Sequence, residues 1–103
     1  MEAFTGISKS TLKILSDITG EPRVDVALHI TLKDAIEHRL EKINKEIKRF
    51  ESKYHGSFEE FEKSWKEGKI KDRYSYRIEK DYWDWEALIT RKKKLEEAFK
   101  WVS

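Results

Sequence analysis

Six apolar residues, Ile36, Leu40, Ile43, Ile47, Phe50 and Tyr54, recur at spacings of 4, 3, 4, 3 and 4. A helix turns about 100° per residue, so this rhythm keeps all six on one narrow stripe. In a strand the same residues would scatter over both faces. Leu28 and Leu32 extend the stripe at a spacing of four, so it drifts at its N-terminal end. The pattern predicts one helix from about Arg23 to Tyr54 or His55, with Gly56 as its stop. At 1.5 Å per residue such a helix is about 50 Å long. A compact chain of this size has a radius of gyration of about 13 Å. The helix must therefore bend, protrude, or pair with something outside its own fold.

Shorter signals flank the seam. Ser10 is expected to cap a short helix holding Leu12, Ile14, Leu15 and Ile18, which Gly20 stops. Glu21-Pro22 restarts the chain, since proline is tolerated in a first turn. Ser57-Phe58-Glu59-Glu60 reads as a capping box. It opens a short helix to about Glu67 with Phe58, Phe61 and Trp65 on one face, and Gly68 closes it. Ile70 is the one apolar residue of the following loop and is expected to tuck inward. Asp72 or Ser75 then caps a final helix to Trp101, with an inner stripe of Ile78, Tyr82, Trp85, Leu88 or Ile89, Leu95, Phe99 and Val102.

Residues 1–8 show no period and read as a tail, and Val24 with Val26 is the only strand-like signal. The expectation is an all-α single domain: an elongated hairpin or bundle of two long antiparallel helices plus short ones. Its parts are a tail and short helix at 1–21, a long helix at 22–56, a short helix and loop at 57–72, and a long helix at 73–103.

Composition narrows the function. Charged residues make up 41% of the chain, yet 22 bases nearly cancel 20 acids to leave +2. That balance argues against a bulk electrostatic partner such as DNA or an anionic membrane. Without cysteine there is neither a disulfide nor a thiolate metal site. No apolar leader or membrane-length stretch is seen, so a cytoplasmic protein is expected. Gln is absent, Asn44 and Met1 are single, and Lys and Glu abound, a profile like that of a thermophile.

Catalytic patterns are thin. His29 and His38 are nine apart, on opposite sides of a helix, and Asp34 with His38, four apart, is expected as a structural ion pair at most, since one pair is too few ligands for a metal. No Glu-x-x-His pair, Gly-x-Ser-x-Gly elbow or glycine-rich loop occurs. No catalytic residue, metal or cofactor is therefore expected. Arg23 and His29 resemble the Arg-x(4–6)-His signature of HEPN ribonucleases, which makes such a nuclease the second alternative. The Arg91-Lys92-Lys93-Lys94 run could touch nucleic acid, but four consecutive helical residues point nearly all round the axis.

The densest chemical signal lies between Tyr74 and Trp85. Tyr74, Tyr76, Tyr82, Trp83 and Trp85 are interleaved with Glu79, Asp81, Asp84 and Glu86. Carboxylates among the rings would repel a phosphate backbone, whereas Tyr and Trp dominate protein–protein hot spots. One helical face cannot hide all five rings. Tyr82 and Trp85, three apart, read as core, and Trp83 leans toward an interface. The expected partner-binding set is Tyr74, Tyr76, Glu79, Asp81, Tyr82, Trp83, Trp85 and Glu86. The 36–54 seam is either core or a homodimer contact. A homodimer that binds nucleic acid is the first alternative function.

Two segments carry a resemblance. Tyr54-His55-Gly56-Ser57-Phe58-Glu59-Glu60-Phe61 and Glu79-x-Asp81-Tyr82-x-x-Trp85-Glu86 are similar to segments of small prokaryotic antitoxin-like proteins, including TumA-type antitoxins. The similarity spans about residues 33–101. It implies a non-catalytic protein that binds and neutralises a small basic protein toxin encoded nearby. Glu79, Asp81, Tyr82, Trp85 and Glu86, supported by Phe58 and Phe61, are the residues it would carry over. Residues 1–8 lack the alternating basic strand with which many antitoxins read their promoters.

Overall fold

The computed structural model describes residues 6–102 as four helices: α1 Lys9–Thr19, α2 Val24–Tyr54, α3 Phe58–Lys66 and α4 Tyr76–Val102. Residues 1–5 of the expected tail, and Ser103, lie outside the described residues. The all-α expectation holds. Val24 and Val26 open α2 rather than forming a strand.

The long helices run antiparallel. Lys33 on α2 sits over the ring of Phe99 near the end of α4. Phe50 stacks on Trp85, and Tyr54 reaches Asp81. Residue numbers rise on α2 as they fall on α4. The seam that demanded a partner therefore finds one within the chain: Ile36, Ile43 and Ile47 are buried on the α2 face toward α4, and Leu40, Phe50 and Tyr54 are half-buried. The result is a rod of 57 × 23 × 21 Å with a radius of gyration of 19.7 Å. α1 folds back along the start of α2, burying Leu15 and Ala27.

The helix ends follow local chemistry, with three corrections. Ser8, not Ser10, caps α1: its backbone is extended and its hydroxyl accepts from the Thr11 N–H, whereas Ser10 already lies in the first turn. Pro22 precedes the α2 N-cap, Arg23, instead of sitting inside the first turn. His55, not Gly56, takes the left-handed conformation that ends α2, at φ 58°. The Gly56 N–H then closes the turn onto the Glu51 carbonyl.

The capping box at the start of α3 forms as expected, with Ser57 and Glu60 satisfying each other's backbone N–H. Gly68 at φ 73° ends α3, and Ser75 caps α4 through its bond from the Ile78 N–H. Ile70 packs onto the aromatic core as the loop reading required.

A Cβ-bearing residue in the left-handed region costs about 1–2 kcal/mol. His55→Gly removes that cost but frees the unfolded chain. It is expected to raise the unfolding free energy by about 0.5 kcal/mol in urea melts.

Candidate functional site

α4 carries rings on both sides, and the two sides do different things. Trp85 is fully buried. Its indole stacks on Phe50 at 5.4 Å and on Tyr54 at 5.8 Å, while Phe58 and Phe61 of α3 close over it at 5.4 Å each. Tyr82, Trp65, Ile78 and Ile89 surround this cluster. Ile78, Tyr82, Trp85 and Ile89 of the expected inner stripe thus face this core, and Leu88, Leu95, Phe99 and Val102 are half-buried. This packing removes Trp85 from the partner-binding set, because a side chain sealed by three helices cannot touch another molecule.

Two more residues of the expected set are tied down from within. Asp81 accepts bonds from Lys53 Nζ and the Tyr54 hydroxyl. Burial pushes its pKa upward, but those two donors outweigh burial and hold the carboxyl below the usual aspartate range. Burial, and then the bond to Asp81, push the Tyr54 phenol far up. The Tyr82 hydroxyl donates to Glu62 at 2.7 Å, and burial with that bond pushes its pKa up to about 12. These bonds fasten α4 to α2 and α3. Asp81 and Tyr82 are half-buried and act as fasteners between the helices.

The rest of the set is accessible. Tyr74, Tyr76 and Trp83 are 71%, 80% and 65% exposed, Glu86 is exposed and Glu79 half-buried. Tyr74 leans on Arg73 and on the edge of Trp65 at the loop. Tyr76 and Trp83 are seven apart on α4, so they share a line. That line lies about 160–180° round the helix from Trp85, directly opposite the core.

Trp101, beyond the expected partner-binding set, falls on the same line and is 85% exposed. Its sequence signal is the spacing: Trp83 and Trp101 are 18 residues apart, five full turns. Ala87, Thr90, Lys94 and Glu97 fill the line between them, all exposed. A depression of about 320 Å³ lies over Ala87 and Thr90, edged by Trp83, Glu86, Arg91 and Lys94. From Tyr76 to Trp101 the face is about 37 Å long.

A groove of about 660 Å³ between α2 and α4 is floored by Phe50 and Leu88; of the acids that line it, Asp81 is engaged by Lys53 and Asp84 by Lys80, while Glu46 lies at its edge with Arg49. Among the described residues no three His, Asp or Glu side chains gather as a metal site. Arg23 turns back onto Glu21 at 3.0 Å, and His29 is exposed on α2. Of the basic run, Arg91, Lys93 and Lys94 are exposed and Lys92 is half-buried. Among the described residues, no helix is long and apolar enough to cross a membrane.

Residues 11–102 match the uncharacterized protein MJ0235 family. The chain belongs to that family. No curated protein matches it, and no solved structure does. The family match spans α2, α3 and α4 whole and all but the first two residues of α1. It brings no activity with it.

Two outcomes test the inner face. Trp85→Ala opens a void among four rings and is expected to cost about 3–5 kcal/mol, read from chemical denaturation. Trp83→Ala should change stability by less than about 0.5 kcal/mol. Stability should also fall at alkaline pH. A phenol whose folded pKa is raised stabilises the fold fully below its unfolded value of about 10. That contribution is lost as pH rises through about 12 for Tyr82, and higher still for Tyr54. Denaturation midpoints of a Tyr54→Phe/Tyr82→Phe variant should depend less on pH in that range.

Proposed function

We propose that this chain is a non-catalytic protein-binding module and that its docking surface is the outer face of α4. The observation that carries this reading is the alignment of Tyr76, Trp83 and Trp101, all at least 65% exposed, on the side of α4 opposite the core. Exposed Trp and Tyr in line on a rigid helix are what hot-spot residues look like before a partner covers them. The helix beneath them is fixed by Trp85, Asp81 and Tyr82, so little ordering entropy is lost on docking.

In its narrower form, drawn from the antitoxin resemblance, the partner is a small basic protein toxin. Glu79, Asp84 and Glu86 around Trp83 support a basic partner at that end. Arg91, Lys93, Lys94 and Lys100 toward Trp101 oppose one at the other. The face is two-signed, so the broader reading, protein docking on α4, stands ahead of the toxin. The same mixture weighs against nucleic acid, which would meet carboxylates along half the face.

A photo-crosslinking amino acid placed at Trp83 or Trp101, in the chain expressed in cells, tests this reading. The expected result is a crosslink to protein from both positions and from neither of two control sites, Glu37 and Lys45 on α2. RNA as the captured species, or equal capture from the controls, would overturn it.

A further inference from the structure

We infer that the occupant of the outer face of α4 is a second copy of this chain, docked antiparallel about a two-fold axis between Leu88 and Ile89. This inference rests on the docking reading above and names the partner of that surface. The argument comes from charge and size along the face. Tyr76, Lys80, Trp83, Ala87, Thr90, Lys94, Glu97 and Trp101 repeat at spacings of 4, 3, 4, 3, 4, 3 and 4, and every one is exposed. That is a second heptad seam, on the opposite side of the helix from the one that closes the core.

An antiparallel pair matches this seam to itself in one register. Tyr76 faces Trp101 of the second copy, Lys80 faces Glu97, Trp83 receives the stem and ammonium of Lys94, and Ala87 meets Thr90 beside the axis. The smallest residues thus fall where the two backbones come closest, at the depression described above. Cation–π contact suits the Trp83–Lys94 layer. The flanking positions agree as well. Asp84 lies beside Arg91 of the second copy, Glu86 beside Lys93, and Glu79 beside Lys100, each pair of opposite sign and each made twice.

The two-signed character that disfavours a simple basic partner is what a self-complementary antiparallel pair requires. A parallel pair would instead set Lys80, Lys94 and Glu97 each against its own copy. The Lys80–Asp84 bond within the chain is exposed on both sides and can be shared or exchanged. The seam is one helix pair with two polar layers, so association is expected in the micromolar range.

Sedimentation equilibrium of the whole chain over a wide concentration range tests this, using a charge swap. Glu86→Lys alone and Lys93→Glu alone each set like charges together twice, and each should weaken dimerisation about tenfold. The double variant Glu86→Lys/Lys93→Glu restores opposite signs and should recover the wild-type constant. A merely structural role for either residue would not produce that recovery. The chain has no cysteine, so mixing Ala87→Cys with Thr90→Cys chains adds a register check: a disulfide should form between unlike chains in preference to like ones.

A dimer whose constant ignores the swap would overturn the inference and move self-association elsewhere, for instance to the exposed Ile14, Ile18 and Leu32. A chain that stays monomeric at every concentration would also overturn it. In that case a crosslink from Trp83 to a different protein leaves the docking reading standing, and no crosslink at all removes both.

Discussion

Everything in this fold depends on how Trp85 is enclosed. Three helices that share no regular backbone pairing are held by one indole, with α2 supplying Phe50 and Tyr54 and α3 supplying Phe58 and Phe61. Stacked and edge-on rings add to the area burial they already share. The buried residues are few, and a rod of this shape has little interior. The indole nitrogen of Trp85 finds no hydrogen-bond partner among the described residues, so its packing must outweigh an unmet donor. Asp81 and Tyr82 then set the rotation of α4 through bonds to Lys53, Tyr54 and Glu62.

That rotation decides which side chains α4 shows to its surroundings. With Trp85 turned fully inward, the residues about 160–180° away are turned fully outward, and they include Tyr76, Trp83 and Trp101. A helix with rings on only one side would have solvated its back with charge. α4 instead places two tryptophans and a tyrosine there, at intervals that keep them in register with the helix. The same rigid packing that stabilises the rod thus presents a straight, preorganised surface.

Much of the fold was legible in the sequence because its signals are local. The 36–54 heptad, the Ser57–Glu60 capping box and the stops at Gly20 and Gly68 each encode their own backbone conformation. What was not legible depends on through-space geometry. His55 takes the left-handed cap although Gly56 stands beside it, because the helix runs one residue shorter than glycine placement alone implies. The fate of the five rings between Tyr74 and Trp85 divided by face, which spacing within that segment foreshadowed for Tyr82 and Trp85. Asp81 looked like a contact carboxylate until Tyr54 and Lys53, far away in sequence, came to meet it. Trp101 lies five and seven turns from its partners in the line, Trp83 and Tyr76, beyond the reach of any local pattern.

Hydroxyl-radical footprinting of the tryptophans, with the chain dilute and then concentrated, tests the two-faced account of α4 most directly. The account predicts that Trp85 stays unmodified at both concentrations, while Trp83 and Trp101 react when dilute and become protected together when concentrated. Oxidation of Trp85 in the folded chain would contradict the inner face. Unchanged reactivity of Trp83 and Trp101 in a chain that has associated would contradict the outer one.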